Sequence, residues 1–271
     1  MKYGMSLALS AMALLPACAM DGEPEVAMDN GPGVGEAAGD EPASLGVSTQ
    51  EVAVLGGEFS WSQGQARMAM GSSADRFCFL TTISGRFKGA GEAVRVFVED
   101  GQWLIEGSSG QTGVNAKARC VPLSWQGRTL SVSSAFQWNQ DDPRAVALGS
   151  DADRACFLTS LSGHFQGAGE FVEVRRSNGQ WLLDGGSHQL GIEAIVHCLI
   201  NVQPTGPFSW SQGTAGVVMA PVATSACGLT AMTGRFEGAG ERVSVEAVAG
   251  DWRIQGSSNQ NAVAGSAVCA L

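Results

Sequence analysis

The sequence predicts an all-β protein made of three tandem antiparallel units of about 63 residues. Three observations support this fold class: a pattern that recurs three times, cysteines at a constant interval, and alternating apolar residues that lead into hairpin turns. No stretch beyond the first 17 residues shows the apolar stripe of an amphipathic helix.

The repeat is clearest around its first cysteine. The segment "CFLTTISGRFKGAGE" at 78–92 returns as "CFLTSLSGHFQGAGE" at 156–170 and as "CGLTAMTGRFEGAGE" at 227–241. The copies run from Phe59 to Cys120, from Phe136 to Cys198 and from Phe208 to Cys269. We therefore divide this part of the chain into repeat 1 (55–121), repeat 2 (122–199) and repeat 3 (200–271).

The cysteines predict one disulfide in each repeat. Six of the seven form pairs separated by 42 residues, namely Cys78 with Cys120, Cys156 with Cys198, and Cys227 with Cys269. An even number at a fixed interval indicates disulfides in an exported protein. Closing a loop of this length stabilises a small unit by about 4 kcal/mol in the chain-entropy model. A zinc site is a poor alternative because each repeat has two thiols and lacks C-x-x-C.

Alternating apolar residues predict a β-hairpin in each repeat. In "AVRVFVEDGQWLIEG" the valines alternate up to Asp100-Gly101, where the chain reverses. The corresponding turns are Asn178-Gly179 and Ala249-Gly250. Such dipeptides suit the two positive-φ positions of a hairpin turn. The segments "CFLTTISGRF", "GVNAKARCV" and "FSWSQG" predict further strands.

The glycine-rich segment "GRFKGAGE" resembles a phosphate-binding loop only superficially. It is followed by an alternating strand rather than a helix, and it lacks the Gly-Lys-Ser/Thr of a P-loop. We predict a structural corner in which glycines permit a tight turn or a bulge. Its glutamates are predicted to cap backbone amides, with calcium binding as an alternative. The corner residues are Gly85, Gly89, Gly91, Glu92, Gly163, Gly167, Gly169, Glu170, Gly234, Gly238, Gly240 and Glu241.

The assembly of the repeats is left open between two arrangements. Connections of 15 and 9 residues, at 121–135 and 199–207, can join independent beads or let three units close around a pseudo-threefold axis. The presence of three copies favours the closed, β-prism-like arrangement.

The N-terminus predicts export and lipidation. Residues 1–17 contain an apolar run too short to span a bilayer but typical of a signal peptide. The sequence Leu15-Pro16-Ala17-Cys18 resembles the lipobox of bacterial lipoproteins. That resemblance implies that Cys18 carries lipid, including palmitate, and anchors the protein to a membrane. Ordinary cleavage and release is the alternative.

Residues 18–54 are predicted to form a disordered acidic tether. Eight of the 26 acidic residues lie between Asp21 and Glu51. From Val52 onward 18 acidic residues face 15 basic ones, so the repeats are nearly neutral. This balance argues against a nucleic-acid partner.

Two sets of side chains are candidates for ligand binding. The first contains the tryptophans at the front of each repeat, which either stack on sugar rings or fill the cores: Trp61, Trp138 and Trp210. Trp103, Trp181 and Trp252 are predicted to lie in the cores. The second set lies near three equivalent turns and either binds ligand or serves turn chemistry: Ser109, Gln111, His188, Gln189, Asn259 and Gln260.

A catalytic set is not apparent in the sequence. The histidines His164, His188 and His197 all belong to repeat 2, and their spacing does not identify a base for a nucleophile. We predict no cofactor and no metal. A hydrolase with an active site in repeat 2 alone remains an alternative.

The repeat resembles cysteine-paired β repeats of exported proteins from high-GC bacteria and of phage-tail or pilus-tip adhesin heads. This resemblance implies surface recognition without chemistry. We therefore expect a cell-envelope lipoprotein, on the outer membrane or cell surface, that binds a partner such as a glycan. A structural or assembly lipoprotein that contacts other envelope proteins is the alternative.

Overall fold

The computed structural model describes residues 56–271 except 126 and 190. The predicted signal peptide, the lipidation site Cys18 and the tether lie outside the described residues. Within this part of the chain, no helix is long and apolar enough to cross a membrane.

The described chain folds into β-strands. In and after repeat 1 they are β1 (Phe59–Ser62), β2 (Met68–Ser72), β3 (Arg76–Ser84), β4 (Ala93–Glu99), β5 (Gln102–Ser108), β6 (Asn115–Pro122), β7 (Ser124–Trp125), β8 (Arg128–Thr129) and β9 (Ser131–Val132). They continue as β10 (Phe136–Asn139), β11 (Val146–Ser150), β12 (Arg154–Ser162), β13 (Phe171–Ser177), β14 (Gln180–Gly186) and β15 (Glu193–Ile200). Repeat 3 contains β16 (Pro204–Ser211), β17 (Val217–Pro221), β18 (Ala226–Thr233), β19 (Arg242–Val248), β20 (Asp251–Ser257) and β21 (Ala264–Ala270).

Three large sheets each combine strands from two repeats. Sheet I has the order β1-β6-β3-β19-β20-β17, sheet II the order β10-β15-β12-β4-β5-β2, and sheet III the order β11-β14-β13-β18-β21-β16. In addition, β9 pairs with β15, and β7 pairs with β8 in a small separate ribbon. Every large sheet therefore joins three strands of one repeat to the hairpin and second strand of another.

This exchange closes the three repeats into one assembly. Repeat 1 shares sheet I with repeat 3 and sheet II with repeat 2, while repeats 2 and 3 share sheet III. All pairings are antiparallel, for example β12 with β4 and β13 with β18. The predicted all-β antiparallel fold is confirmed. Independent beads are excluded, because each sheet needs two repeats.

The glycine-rich corners meet at the pseudo-threefold axis. The amide of Phe87 donates to the carbonyl of Phe236 at 2.8 Å, Phe165 donates to Phe87 at 2.9 Å, and Phe236 donates to Phe165 at 2.7 Å. Their rings are fully buried and meet edge to face with centroids 6.2–6.3 Å apart. This closed ring of backbone bonds and aromatic contacts ties the three repeats together.

A second aromatic layer breaks the threefold symmetry. Phe79 and Phe157 stack with ring centroids 4.5 Å apart, whereas the equivalent residue in repeat 3 is Gly228. A Cβ atom on Gly228 would lie 2.5 Å from Cδ2 of Phe79 and 2.7 Å from Cδ1 of Phe157. Two rings fill this layer, so the third repeat contributes no side chain to it.

The predicted disulfides and hairpin turns are present. Each disulfide joins directly paired residues on neighbouring strands of its own repeat: Cys78–Cys120, Cys156–Cys198 and Cys227–Cys269. Three disulfides indicate an oxidising, extracytoplasmic environment. The first turn residues have φ of 50°, 52° and 53° at Asp100, Asn178 and Ala249. Both positions of each turn have positive φ, as predicted.

Candidate ligand-binding cleft

The front tryptophans belong to the core. Trp61, Trp138 and Trp210 are 2, 1 and 3% exposed, and each indole packs against a glycine of the hairpin in its own repeat. The indole N–H of Trp61 donates to the carbonyl of Gln65 at 2.9 Å. Their ring faces are therefore not presented to solvent, which agrees with the core alternative rather than with stacking on a ligand. The second set is also buried: Trp103, Trp181 and Trp252.

The candidate polar loop residues form three equivalent turns. The amides of Gln111, Gln189 and Gln260 donate to serine hydroxyls two residues earlier, at 2.7–2.9 Å. These hydroxyls belong to Ser109, Ser187 and Ser258. Ser187 is thus the equivalent of Ser109 in repeat 2, whereas the sequence had pointed to its neighbour His188. Between serine and glutamine, the exposed positions are Gly110, His188 and Asn259. The serines are thus committed to turn chemistry, and only the tips differ between repeats.

The glycines of the corner have three different roles. Gly85, Gly163 and Gly234 have φ of 102°, 104° and 95°, as expected for a tight turn. Gly89, Gly167 and Gly238 leave no room for a Cβ atom, because the carboxylates of Glu92, Glu170 and Glu241 occupy that space. Gly91, Gly169 and Gly240 have open space around a Cβ position and no positive φ, so the predicted requirement for glycine does not hold there.

The corner glutamates are buried and only partly satisfied. Glu92, Glu170 and Glu241 are 2–3% exposed. The amide of Gly110 donates to Oε1 of Glu92 at 3.3 Å, so this carboxylate caps the neighbouring polar turn. Oε2 of each glutamate has no hydrogen-bond partner among the described residues.

The histidines of repeat 2 occupy separate environments. His164 lies half-buried in the corner, His188 is an exposed turn tip, and His197 lies on β15. In the described ranges, no three histidine, cysteine, aspartate or glutamate side chains are placed to hold a metal ion.

A cleft opens in sheet II where repeat 1 meets repeat 2. Strands β12 and β4 pair over three residues only, from Ser160 opposite Arg95 to Ser162 opposite Ala93. Two adjoining cavities of about 290 and 270 Å³ lie along this seam. Both are lined by Arg95, Ser160 and Ile195, so they form one elongated site, which we call the sheet II cleft.

Three polar side chains in the cleft lack partners. Ser160 is 9% exposed, and its hydroxyl makes no hydrogen bond with another described residue. The same is true of the side chains of Ser162 and Glu193, which are directly paired across β12 and β15. Arg95, by contrast, donates from Nε to Glu106 at 2.6 Å. Polar groups without protein partners that line a cavity are positions at which a ligand or ordered water can bind.

The other end of the cleft is mainly apolar. It is lined by Phe97, Val98, Ala135 and Ile195, and Val98 is 45% exposed. The Arg95 guanidinium lies 4.4 Å from the centroid of the Phe97 ring.

His197 closes this end of the cleft in its neutral form. Nδ1 of His197 lies 2.9 Å from the hydroxyl of Thr159, which in turn donates to the carbonyl of Ile195 at 3.2 Å. This contact has Nδ1–H donating to the hydroxyl in one tautomer and the hydroxyl donating to Nδ1 in the other. Burial lowers the pKa of His197 to about 4. The imidazole is therefore uncharged at neutral pH.

The equivalent positions in sheet I are filled by an ion-paired group. Lys117 and Arg119 replace Ile195 and His197, and both contact Glu58, at 2.7 and 3.3 Å. Glu58 itself corresponds to Ala135 in sheet II. Smaller side chains thus leave space in sheet II where sheet I carries three long charged ones.

In sheet III the same positions are Pro207, Ser266 and Val268. There Arg176 of the hairpin lies 4.6 Å from the ring centroid of Trp181. The three seams therefore share their strand pairing but differ in the side chains that line them.

A third hollow, of about 360 Å³, lies beside Gly56, Arg76 and Pro122. Its main charged groups already pair, with Nε of Arg76 2.8 Å from Asp75. It offers fewer free polar groups than the sheet II cleft, although it is larger than either cavity of that cleft.

This cleft is not predicted by the sequence. Its lining comes from β4, β5, β12 and β15, which belong to two repeats, and the strand exchange that joins them is not readable from a local pattern. The sequence nevertheless contained a sign of the cleft. Equivalent positions of the otherwise regular repeat carry a charged, an apolar and a small polar residue, namely Lys117, Ile195 and Ser266. No protein-family model and no curated protein matches the chain.

Proposed function

We propose that this protein is a lipid-anchored envelope protein that recognises a glycan in the sheet II cleft without catalysing a reaction. The observation that carries the proposal is the set of unpartnered polar side chains, Ser160, Ser162 and Glu193, beside an apolar wall. Sites for small ligands combine apolar walls with a few such convergent polar groups.

This combination suits a sugar. Sugar hydroxyls can donate to Glu193 and exchange hydrogen bonds with Ser160 and Ser162, while the C–H face of a ring packs on Ile195 and Phe97. Nearly neutral repeats with a half-open groove also fit the expected role of a surface recognition module. The disulfides support an extracytoplasmic location for it.

We propose a non-catalytic role because of the environment of His197. The hydroxyl that contacts this imidazole belongs to Thr159, which is 0% exposed and donates to a backbone carbonyl. A nucleophile must reach its substrate, and this hydroxyl does not. The hydrolase alternative for repeat 2 therefore has no accessible nucleophile–base pair at this histidine.

Lipid anchoring has its own test. Cells that express the protein are labelled with a radioactive fatty acid, and the label is compared between the wild type and Cys18→Ala. We expect label on the wild type alone. Equal labelling of both, or of neither, contradicts the anchor without bearing on the cleft.

Glycan recognition is tested by filling the sheet II cleft with the residue types that occupy the equivalent positions in sheet I. Ala135→Glu with Ile195→Lys places two members of the sheet I ion-paired group in sheet II. Ser266→Lys is the matched control, because it adds a lysine at the equivalent position of repeat 3. Glycans that bind on an array are measured by titration calorimetry.

We expect the double variant to lose glycan binding and Ser266→Lys to retain it. Unchanged binding by the double variant would place the site elsewhere, and an array without any bound glycan would contradict the proposal. Crosslinking in intact cells addresses the alternative of an assembly lipoprotein. A reproducible protein partner, together with an empty array, would favour that alternative.

A further inference from the structure

The sheet II cleft carries one negative charge that the protein does not compensate. Among the described residues that line its two cavities, the cationic side chain is Arg95, and it pairs with Glu106. His197 is neutral. Glu193 has no ion-pair partner in the described part of the chain. A carboxylate that lines a half-open cavity without a counter-charge favours a ligand that brings a positive charge.

The oxygens near Glu193 are arranged as a set of acceptors. Ser162 pairs with Glu193 across β12 and β15, and Ser160 pairs with Ile195 two residues along the same strands. Alternate residues of a strand share one face, so the two hydroxyls and the carboxylate line the same side of the sheet. An ammonium group has three N–H donors and no acceptor, which matches three oxygens.

The other seams do not offer this arrangement. Asn115 takes the place of Glu193 in sheet I, where its amide donates to the hydroxyl of Ser84 at 3.3 Å and to the carbonyl of Gly113 at 2.6 Å. Ala264 takes that place in sheet III. The free carboxylate and the buried, unpartnered Ser160 therefore occur together in sheet II alone among the three described seams.

We propose that the sheet II cleft selects glycans with a free, protonated amino group, which Glu193 binds with Ser160 and Ser162. This inference rests on the proposed function and narrows it from glycans in general to amino sugars. N-acetylation removes the charge and two donors, so it weakens the contact with Glu193. A uronic acid brings a second negative charge to the cleft, and repulsion disfavours it.

The test compares matched oligosaccharides on the full chain. Glucosamine and galactosamine oligomers, their N-acetylated forms and a galacturonic acid oligomer are titrated by calorimetry at about pH 6, below the ordinary pKa of an amine. We expect the amino forms to bind about tenfold more tightly than the acetylated forms, because charge-assisted hydrogen bonds are about twice as strong as neutral ones.

Glu193→Gln should abolish this preference, because it weakens binding of the amino forms by about tenfold more than binding of the acetylated forms. Asp151→Asn removes the same charge outside the cleft and should preserve the preference. Thermal unfolding of both variants checks that each is folded.

The possible failures are distinguishable. If the acetylated or acidic oligomers bind at least as well as the amino forms, and cleft closure by Ala135→Glu with Ile195→Lys abolishes their binding, amino-sugar selection is wrong and glycan recognition stands. If Glu193→Gln keeps the preference, Glu193 is not the group that selects. If no oligosaccharide binds, both the inference and the glycan proposal are contradicted.

Discussion

Gly228→Ala tests whether packing around the pseudo-threefold axis requires a glycine at position 228 of repeat 3. The added Cβ atom would lie 2.5 Å from Phe79 and 2.7 Å from Phe157, whereas real Cβ atoms essentially never approach another heavy atom within 3.0 Å. Phe79 and Phe157 are at most 1% exposed and stack on each other. Neither ring can swing into solvent, so the rings or the backbone of β18 must shift.

The expected loss of stability follows from two opposing effects. Inserting a methyl group into a packed core costs about 1–3 kcal/mol. Replacing a glycine that does not have a positive φ restricts the unfolded chain and returns about 0.4–1 kcal/mol. We therefore expect Gly228→Ala to lower the free energy of unfolding by about 1–2 kcal/mol. For a domain of this size the midpoint of thermal unfolding falls by about 2–8 °C.

Urea denaturation with intact disulfides measures this loss. Gly57→Ala is the matched control, because its Cβ atom would have no neighbour within 4 Å, and it should leave stability unchanged or slightly raised. Adding Phe157→Leu to Gly228→Ala should relieve the overlap, so the double variant should be more stable than the sum of the single effects by about 1 kcal/mol. Equal stability of Gly228→Ala and Gly57→Ala, or additive effects in the double variant, would refute the packing argument.

Two further predictions concern single side chains. His197 has a pKa of about 4 in the folded protein against 6.5 ordinarily. The unfolded chain therefore binds the proton first, and the free energy of unfolding falls as the pH drops from 7 to 4. In urea titrations over this pH range, the free energy of unfolding of His197→Val should fall by about 3 kcal/mol less than that of the wild type. Ala249 holds φ of 53° at a turn position where repeat 2 has Asn178, and Ala249→Asn should raise the free energy of unfolding by about 0.5–1 kcal/mol, measured by the same method, whereas a loss of stability would contradict the turn assignment.

The features that the sequence predicted correctly depend on neighbouring residues. The hairpin turns follow from dipeptides such as Asn178-Gly179, and the disulfides follow from a spacing that recurs three times. The partner strands across repeats were not predictable, because alternation assigns a residue to a face of a sheet but does not name the neighbouring strand. The pairing of β4 with β12 is of this kind.

The burial of the front tryptophans depended on a distant contact in the same way. Trp61 is buried because Gly107, 46 positions later in the chain, leaves space for its ring. The same glycine recurs at 185 and 256, so the repeat did contain the signal. This glycine could be interpreted only with the knowledge that the front strand packs on the hairpin, and no local sequence pattern predicts that packing.

Residues that differ between the repeats fall into two classes. Some are compensated by other residues of the protein and some are not, and the second class lies at the candidate site. Gly228 departs from the phenylalanine of the other repeats, but Phe79 and Phe157 fill the space that it leaves. In sheet I, Lys117 and Arg119 are charged where the other repeats carry uncharged residues, but both form ion pairs with Glu58. Both departures are compensated within the protein.

The departure at the sheet II cleft is not compensated. Small and apolar residues open a space there, and Ser160, Ser162 and Glu193 line it without partners among the described residues. The corner segment shows the opposite case, since Gly85, Gly163 and Gly234 repeat with one conformation and serve the ring of contacts at the axis. Residues that repeat thus build the scaffold, and the uncompensated departure in sheet II is the place where we propose that a ligand binds.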